Sequence, residues 1–130
     1  MKFHLQTPVA NVIAALGNDW IRIGETEYRQ NLVVTPDAVL TDWAPGGFAA
    51  LTEQDFAELL VHKPELVLLG TGATQRFPHP RLLQALSQAR IGVDAMDTRA
   101  ACRTFNILVA EDRRVVAALI LGQDALRAGI

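Results

Sequence analysis

The 130-residue chain has a single cysteine, Cys102, so no disulfide can form within it. That excludes a disulfide-stapled secreted scaffold and favours a reducing compartment. A basic excess is also missing. Twelve Lys and Arg stand against 14 Asp and Glu, a net charge of −2, whereas dedicated nucleic-acid binders are usually basic. No nucleic-acid partner is expected. The longest apolar run, residues 115–121, falls far short of the ~20 residues of a membrane span. Residues 1–8 carry neither the apolar core of a signal peptide nor an Arg/Ser-rich transit pattern. These absences together predict a cytoplasmic protein. His4, His62 and His79 are scattered, none with a neighbour at metal-ligand spacing. Neither a metal nor a cofactor is expected.

What is present fits one soluble domain. Half of the residues are hydrophobic, and a chain of this length buries roughly two thirds of its unfolded surface without staples. We expect a globular unit over residues 1–122 and a tail over 123–130. The first third reads as β: a strand over 11–16, then 20–23 and 26–29 flanking Gly24-Glu25, a two-residue hairpin turn. Strands over 31–34 and 38–43 follow. Thr52, with Asp55 in the first turn, caps a helix running to Val61 and ended by Pro64. Residues 66–69 form a buried strand. A helix over 80–90 starts at a favoured first-turn proline, Pro80, and closes at Gly92. A strand over 93–96, a helix capped by Asp97 or Thr98, and a central strand over 115–121 complete the order. This alternation implies a three-layer α/β domain with a mostly parallel sheet and an N-terminal β-hairpin layer.

The richest stretch is Leu66-Val67-Leu68-Leu69-Gly70-Thr71-Gly72, four apolar residues that stop at a glycine loop. Ligands of open α/β sheets sit at such carboxyl ends. The unit from strand 66–69 through helix 80–90 to strand 93–96 is a compact βαβ, which crosses over right-handedly. It carries Gly70, Thr71 and Gly72 to the same rim as Asp97, Thr98 and the next helix. A helix N-terminus beside a glycine loop can receive an anion or a carbonyl. Arg99, Arg103 and Asn106 share one face of that helix, and Thr98 and Thr104 add hydroxyls. The same stripe reads equally as a solvated helix face, and the two glycines as no more than a tight turn.

Familiar chemistry is missing from the loop. Gly70 to Gln75 lacks the third glycine of a dinucleotide fingerprint and the Gly-Lys-Ser/Thr of a P-loop. No nucleophile elbow occurs. Cys102 falls on the buried side of its helix, where cysteine acts as a small hydrophobe. His79, between two prolines, reads as a loop residue, and Trp20 and Trp43 as core or interface packing.

Pro64 to Gly72, Met96-Asp97-Thr98 with Ala101, Arg103-Thr104-Phe105-Asn106, and Arg114 followed by Val116-Ala117-Ala118-Leu119 resemble, in order and spacing, one small family. It is an uncharacterised bacterial and archaeal domain family whose eukaryotic branch is a mitochondrial assembly factor for respiratory complex I. The resemblance implies a three-layer fold around a mixed five-stranded sheet. Its last strand, here 115–121, would run antiparallel to the others, between 31–34 and 66–69. It also implies a cleft at Gly70, Gly72, Thr98, Arg103, Thr104 and Asn106. Phe105 stands where the family often has tyrosine, so a catalytic phenol is not expected.

Two function classes follow. The first is a non-catalytic module that binds a protein partner during assembly of a larger complex, supported by any exposed apolar patch around Trp43 and Phe48. The second is a binding protein or enzyme for a small anionic ligand, using Gly70, Thr71, Gly72, Thr98, Arg103, Thr104 and Asn106. No catalytic constellation favours the second, and the oligomeric state is left open.

Overall fold

The computed structural model describes residues 9–122. Expectations for residues 1–8, His4 among them, and for the tail over 123–130 lie outside the described residues. β1 (Ile13–Leu16), β2 (Ile21–Ile23) and β3 (Thr26–Tyr28) form an antiparallel three-stranded sheet. Gly24 and Glu25 make the expected two-residue turn, Ile23 facing Thr26. Gly24 takes a φ of 61°, a region closed to most residues by their Cβ. β4 (Leu32–Thr35) and β5 (Ala38–Leu40) form a second hairpin.

α1 (Glu53–Ala57) begins as the sequence predicts. The Thr52 hydroxyl accepts from the Asp55 N–H at 3.2 Å, and the Asp55 carboxylate accepts from the Thr52 N–H at 2.9 Å, a reciprocal capping box. The helix tightens into 3-10 turns over Glu58–His62 and stops at Lys63, whose φ is 52°. β6 (Leu66–Thr71) follows. The next helix is shorter than the expected 80–90: a 3-10 start at Pro80–Leu83 leads into α2 (Gln84–Gln88). Arg90 turns to a φ of 63°, and the Ile91 N–H returns to the Leu86 carbonyl at 2.9 Å. Gly92 therefore opens β7 (Gly92–Met96) rather than closing the helix. α3 (Thr98–Ala110) and β8 (Val115–Ile120) complete the described fold.

The large sheet has the order β5-β4-β8-β6-β7. β8 lies between β4 and β6 as expected, but its direction corrects the sequence reading. It pairs parallel with β6, Leu66 opposite Val115 through Thr71 opposite Ile120, and antiparallel with β4. The strand that opposes its neighbours is β4. The cause is α3: it carries the chain back from the carboxyl end of β7 to the sheet's other end, so β8 must rise in the same sense as β6 and β7.

Both faces of this sheet are covered, which is why β4, β6 and β8 read as near-continuous apolar runs. Leu32, Val34, Leu68, Ala117 and Leu119 face Phe105 and Ala101 of α3 and Ile13, Ile21 and Ile23 of the small sheet. Val33, Val67, Leu69, Val116 and Ala118 face Phe56, Leu59 and Leu86. The small sheet and α3 thus share one outer layer, and α1 and α2 form the other. Trp43 belongs to the second core: it is 4% exposed, meets Phe56 edge-on at 6.1 Å between ring centroids, and donates its indole N–H to the Asp55 carbonyl at 2.9 Å. Phe48 is half-buried with the Arg76 guanidinium 4.3 Å above its ring. An exposed apolar patch around Trp43 and Phe48, which would have supported a protein-binding module, is therefore not present among the described residues.

At the amino ends of β6 and β8, Arg113 pairs with Glu65 at 2.7 Å. Arg114 donates to the His62 carbonyl at 3.0 Å and pairs with Asp37 at 3.4 Å. This clasp joins the β4–β5 turn to the segments entering β6 and β8. The Thr35 hydroxyl, and then Arg114, hold the Asp37 carboxyl below its ordinary range. Hydrogen bonds from Arg113 and from the Arg114 backbone do the same for Glu65.

Candidate functional site

The strand register assembles the rim. Gly70 lies beside Met96 and Thr71 beside Ile120, so the loops after β6, β7 and β8 leave the sheet side by side. Gly70 is glycine because α3 crosses directly above it. A Cβ there would sit 3.0 Å from the Thr98 hydroxyl, 3.1 Å from the Thr98 Cα and 2.9 Å from a Leu119 methyl. Gly72 has a φ of 100°, a backbone conformation that a side chain would strain.

Thr98, 5% exposed, ties the three loops together. Its hydroxyl donates to the Ile120 carbonyl at 2.6 Å and accepts from the Gly72 N–H at 2.8 Å. Its own N–H donates to the Gly72 carbonyl at 2.9 Å. Thr71, fully buried, organises the loop that follows. Its hydroxyl lies 2.7 Å from the Thr74 carbonyl and 3.2 Å from the Met96 carbonyl, and accepts from the Arg76 N–H at 3.0 Å. The Arg76 guanidinium closes the loop on the Thr71 carbonyl at 2.6 Å.

Above the rim lies a cleft of about 630 Å³, walled by Leu16, Gly17, Asn18, Gly72, Ala73, Asp97, Thr98, Arg99, Leu121 and Gly122. Of the residues expected at the site, Gly72 and Thr98 line it. Gly70 and Thr71 lie beneath, holding its floor. Arg103 is exposed on α3, one turn beyond Arg99, and is not part of the wall. The Thr104 hydroxyl turns back to the Ala100 carbonyl at 2.9 Å. Asn106 reaches the other way, to β1, exchanging two 2.9 Å hydrogen bonds with the Ile13 backbone.

The wall also holds residues that sequence reasoning did not assign to it: Gly17 and Asn18 from the β1–β2 turn, and Gly122 after β8. A Cβ on Gly122 would sit 3.2 Å from the Ala73 nitrogen and 3.5 Å from the Asn18 carbonyl. Three backbones therefore meet there, and the glycines at 17, 72 and 122 were the available signal. On the far side of Leu121 a second groove of about 870 Å³ opens between Asp19, Arg29, Asn31, Asp42, Trp43 and Gly46.

The electrostatics of the cleft are largely settled from within. The Asp97 carboxylate caps α3 by accepting from the Ala100 N–H at 2.9 Å, and the Asp97 carbonyl takes the Ala101 N–H at 3.0 Å. With Thr98 bonded to Gly72, three of the first four N–H groups of α3 are already paired. Cys102 is 3% exposed. Desolvation pushes its thiol up to about 12 against the opposing pull of Arg99 and Arg103, so it stays protonated at neutral pH and is no nucleophile. Among the described residues no cluster of His, Cys, Asp and Glu could hold a metal.

Residues 13–120 match the family described as protein of unknown function DUF498/DUF598. The "NADH dehydrogenase [ubiquinone] 1 alpha subcomplex assembly factor 3" of Mus musculus is 40% identical over 90 residues, 68% of this chain and 48% of that protein. A "13 kDa major membrane protein" of Francisella tularensis is 37% identical over 62 residues, 48% of this chain and 50% of that one. The chain spans about half the length of these curated relatives. A crystal structure of a Bordetella parapertussis protein superposes with a TM-score of 0.79 at 34% identity, covering 88% of this chain and 98% of that one.

Proposed function

The chain belongs to the DUF498/DUF598 family, and on that premise we propose that it works without catalysis, as a protein-binding module in the assembly of a larger complex. The observation that carries this reading is its likeness to a relative named as a complex I assembly factor. The rim supports it. Thr71, Thr98, Thr104 and Asn106 direct their polar atoms inward, into the fold, and Cys102 is inert. The lone cysteine fits a reducing compartment, and we assign the module to the cytoplasm. Among the described residues no helix is long and apolar enough to cross a membrane. Pull-down of the full chain under gentle conditions from the cells that make it tests the reading. A reproducible protein partner is expected, and recovery of the chain alone across several conditions would overturn it.

One observation favours a second reading: the 630 Å³ cleft has Arg99 on its wall. A small anionic ligand would sit there against Arg99 and the Gly72–Ala73 backbone. A thermal-shift screen of phosphates, nucleotides and carboxylates tests it, because any ligand that binds only the folded state raises its melting temperature. No shift with any of them would remove this reading.

A further inference from the structure

Resting on the protein-binding reading above, we propose that the outer face of α3 is the partner-docking surface, and that it receives an acidic segment of that partner. The helix carries a charge arrangement that the isolated domain does not need. Arg99 and Arg103 are four residues apart on a helix that contains no Asp or Glu, and like charges at that spacing repel. Arg99 also lies in the first turn, where the helix dipole disfavours a cation. The carboxylate just before the helix, Asp97, is turned to the Ala100 N–H. Neither arginine makes a hydrogen bond or an ion pair among the described residues. Both are exposed, away from the face of α3 that is buried on the sheet.

The stripe continues with an apolar residue. Ile107, a turn beyond Arg103, is 58% exposed, so two cations and a branched aliphatic side chain stand in line on one helix face. Opposite charge from outside removes the repulsion that the fold leaves unanswered, in a protein whose net charge is −2. The occupant with matching chemistry is a peptide segment of a protein partner that carries Asp or Glu beside an apolar residue. Arg99 also borders the cleft, which gives such a segment room at the amino end of the helix.

The test places a benzophenone-bearing residue at position 107 of the full chain, in the cells that make it, and maps the adducts by mass spectrometry. The expected adduct is a protein segment rich in Asp and Glu. Its yield falls by about tenfold or more in Arg99→Glu/Arg103→Glu and is retained in Arg99→Lys/Arg103→Lys, with both variants folded by circular dichroism. Adducts from position 61, exposed on the opposite layer, with none from 107 overturn this face and leave the protein-binding reading standing. A protein adduct at 107 that is not acidic, or that persists in the charge-reversed variant, overturns the acidic partner. Lipid adducts at 107, with retention on phosphatidylglycerol vesicles, overturn it in favour of a membrane surface. No protein adduct at either position, together with empty pull-downs, overturns both readings.

Discussion

Asn106 holds Ile13 in both directions. Its side-chain oxygen accepts from the Ile13 N–H at 2.9 Å, and its side-chain nitrogen donates to the Ile13 carbonyl at 2.9 Å. The amide thus does for β1 what a neighbouring strand would do, and fastens the small sheet to α3. Asn106→Ala should cost about 1–3 kcal/mol from two lost hydrogen bonds. It should also speed hydrogen exchange at the Ile13 amide more than at the β6 amides. Chemical denaturation together with site-resolved exchange checks both.

Thr98→Val removes the hydroxyl that joins Gly72 to Ile120 and leaves both backbone groups without that partner. We expect a loss of about 1–3 kcal/mol. Thr98→Ser, which keeps the oxygen, should lose clearly less. Paired urea titrations of the two variants decide it, and equal losses would mean that the methyl group matters as much as the hydroxyl.

Gly70→Ala forces a methyl group against the Thr98 backbone at 3.1 Å and should destabilise by about 1–3 kcal/mol through overpacking. Gly92→Ala is the control. Its nearest neighbour is a Leu66 methyl at the ordinary contact distance of 3.8 Å, so it should be neutral or slightly stabilising. Melting curves of the two single variants separate a packing glycine from a tolerant one.

Cys102 should resist iodoacetamide in the native protein at pH 8 and react once the chain is unfolded. Burial raises the thiol to about 12, against an ordinary value of about 8.5. Alkylation followed by intact-mass analysis reads the difference directly.

The clasp at the amino ends of β6 and β8 gives stability a defined acid limb. Asp37 and Glu65 are held below their ordinary range when folded. Their contribution is therefore complete above the unfolded carboxylate value of about 4 and disappears as the pH falls through the lower folded values. In Asp37→Asn/Glu65→Gln, the denaturation midpoint should be lower near neutrality and fall less steeply below pH ~4.

The parts of the fold visible in the sequence are those set by neighbours in the chain. The Thr52/Asp55 capping box, the Gly24-Glu25 turn and the apolar run into Gly70 each depend on residues a few positions apart. The βαβ unit brings Gly72 and Thr98 together because its two strands, β6 and β7, are parallel neighbours. Asn106 could not be read in the same way. Its partner, Ile13, is 93 residues away, and a polar residue on a helix face looks the same whether it meets solvent or a strand. The direction of β8 followed from where α3 returns the chain. The sequence leaves Trp43 between core and interface, and its edge-on contact with Phe56 places it in the core.

β8 is the last strand of the sheet to be made and the one at its centre, with all six residues buried between β4 and β6. During synthesis, the facing edges of β4 and β6 wait unpaired until residues 115–120 have cleared the ribosome. A nascent chain halted after α3 lacks the strand that joins β4 to β6 and leaves an edge of each exposed. Among the described residues the large sheet closes only with this strand, so an arrested chain is expected to present two open strand edges, which is an aggregation hazard.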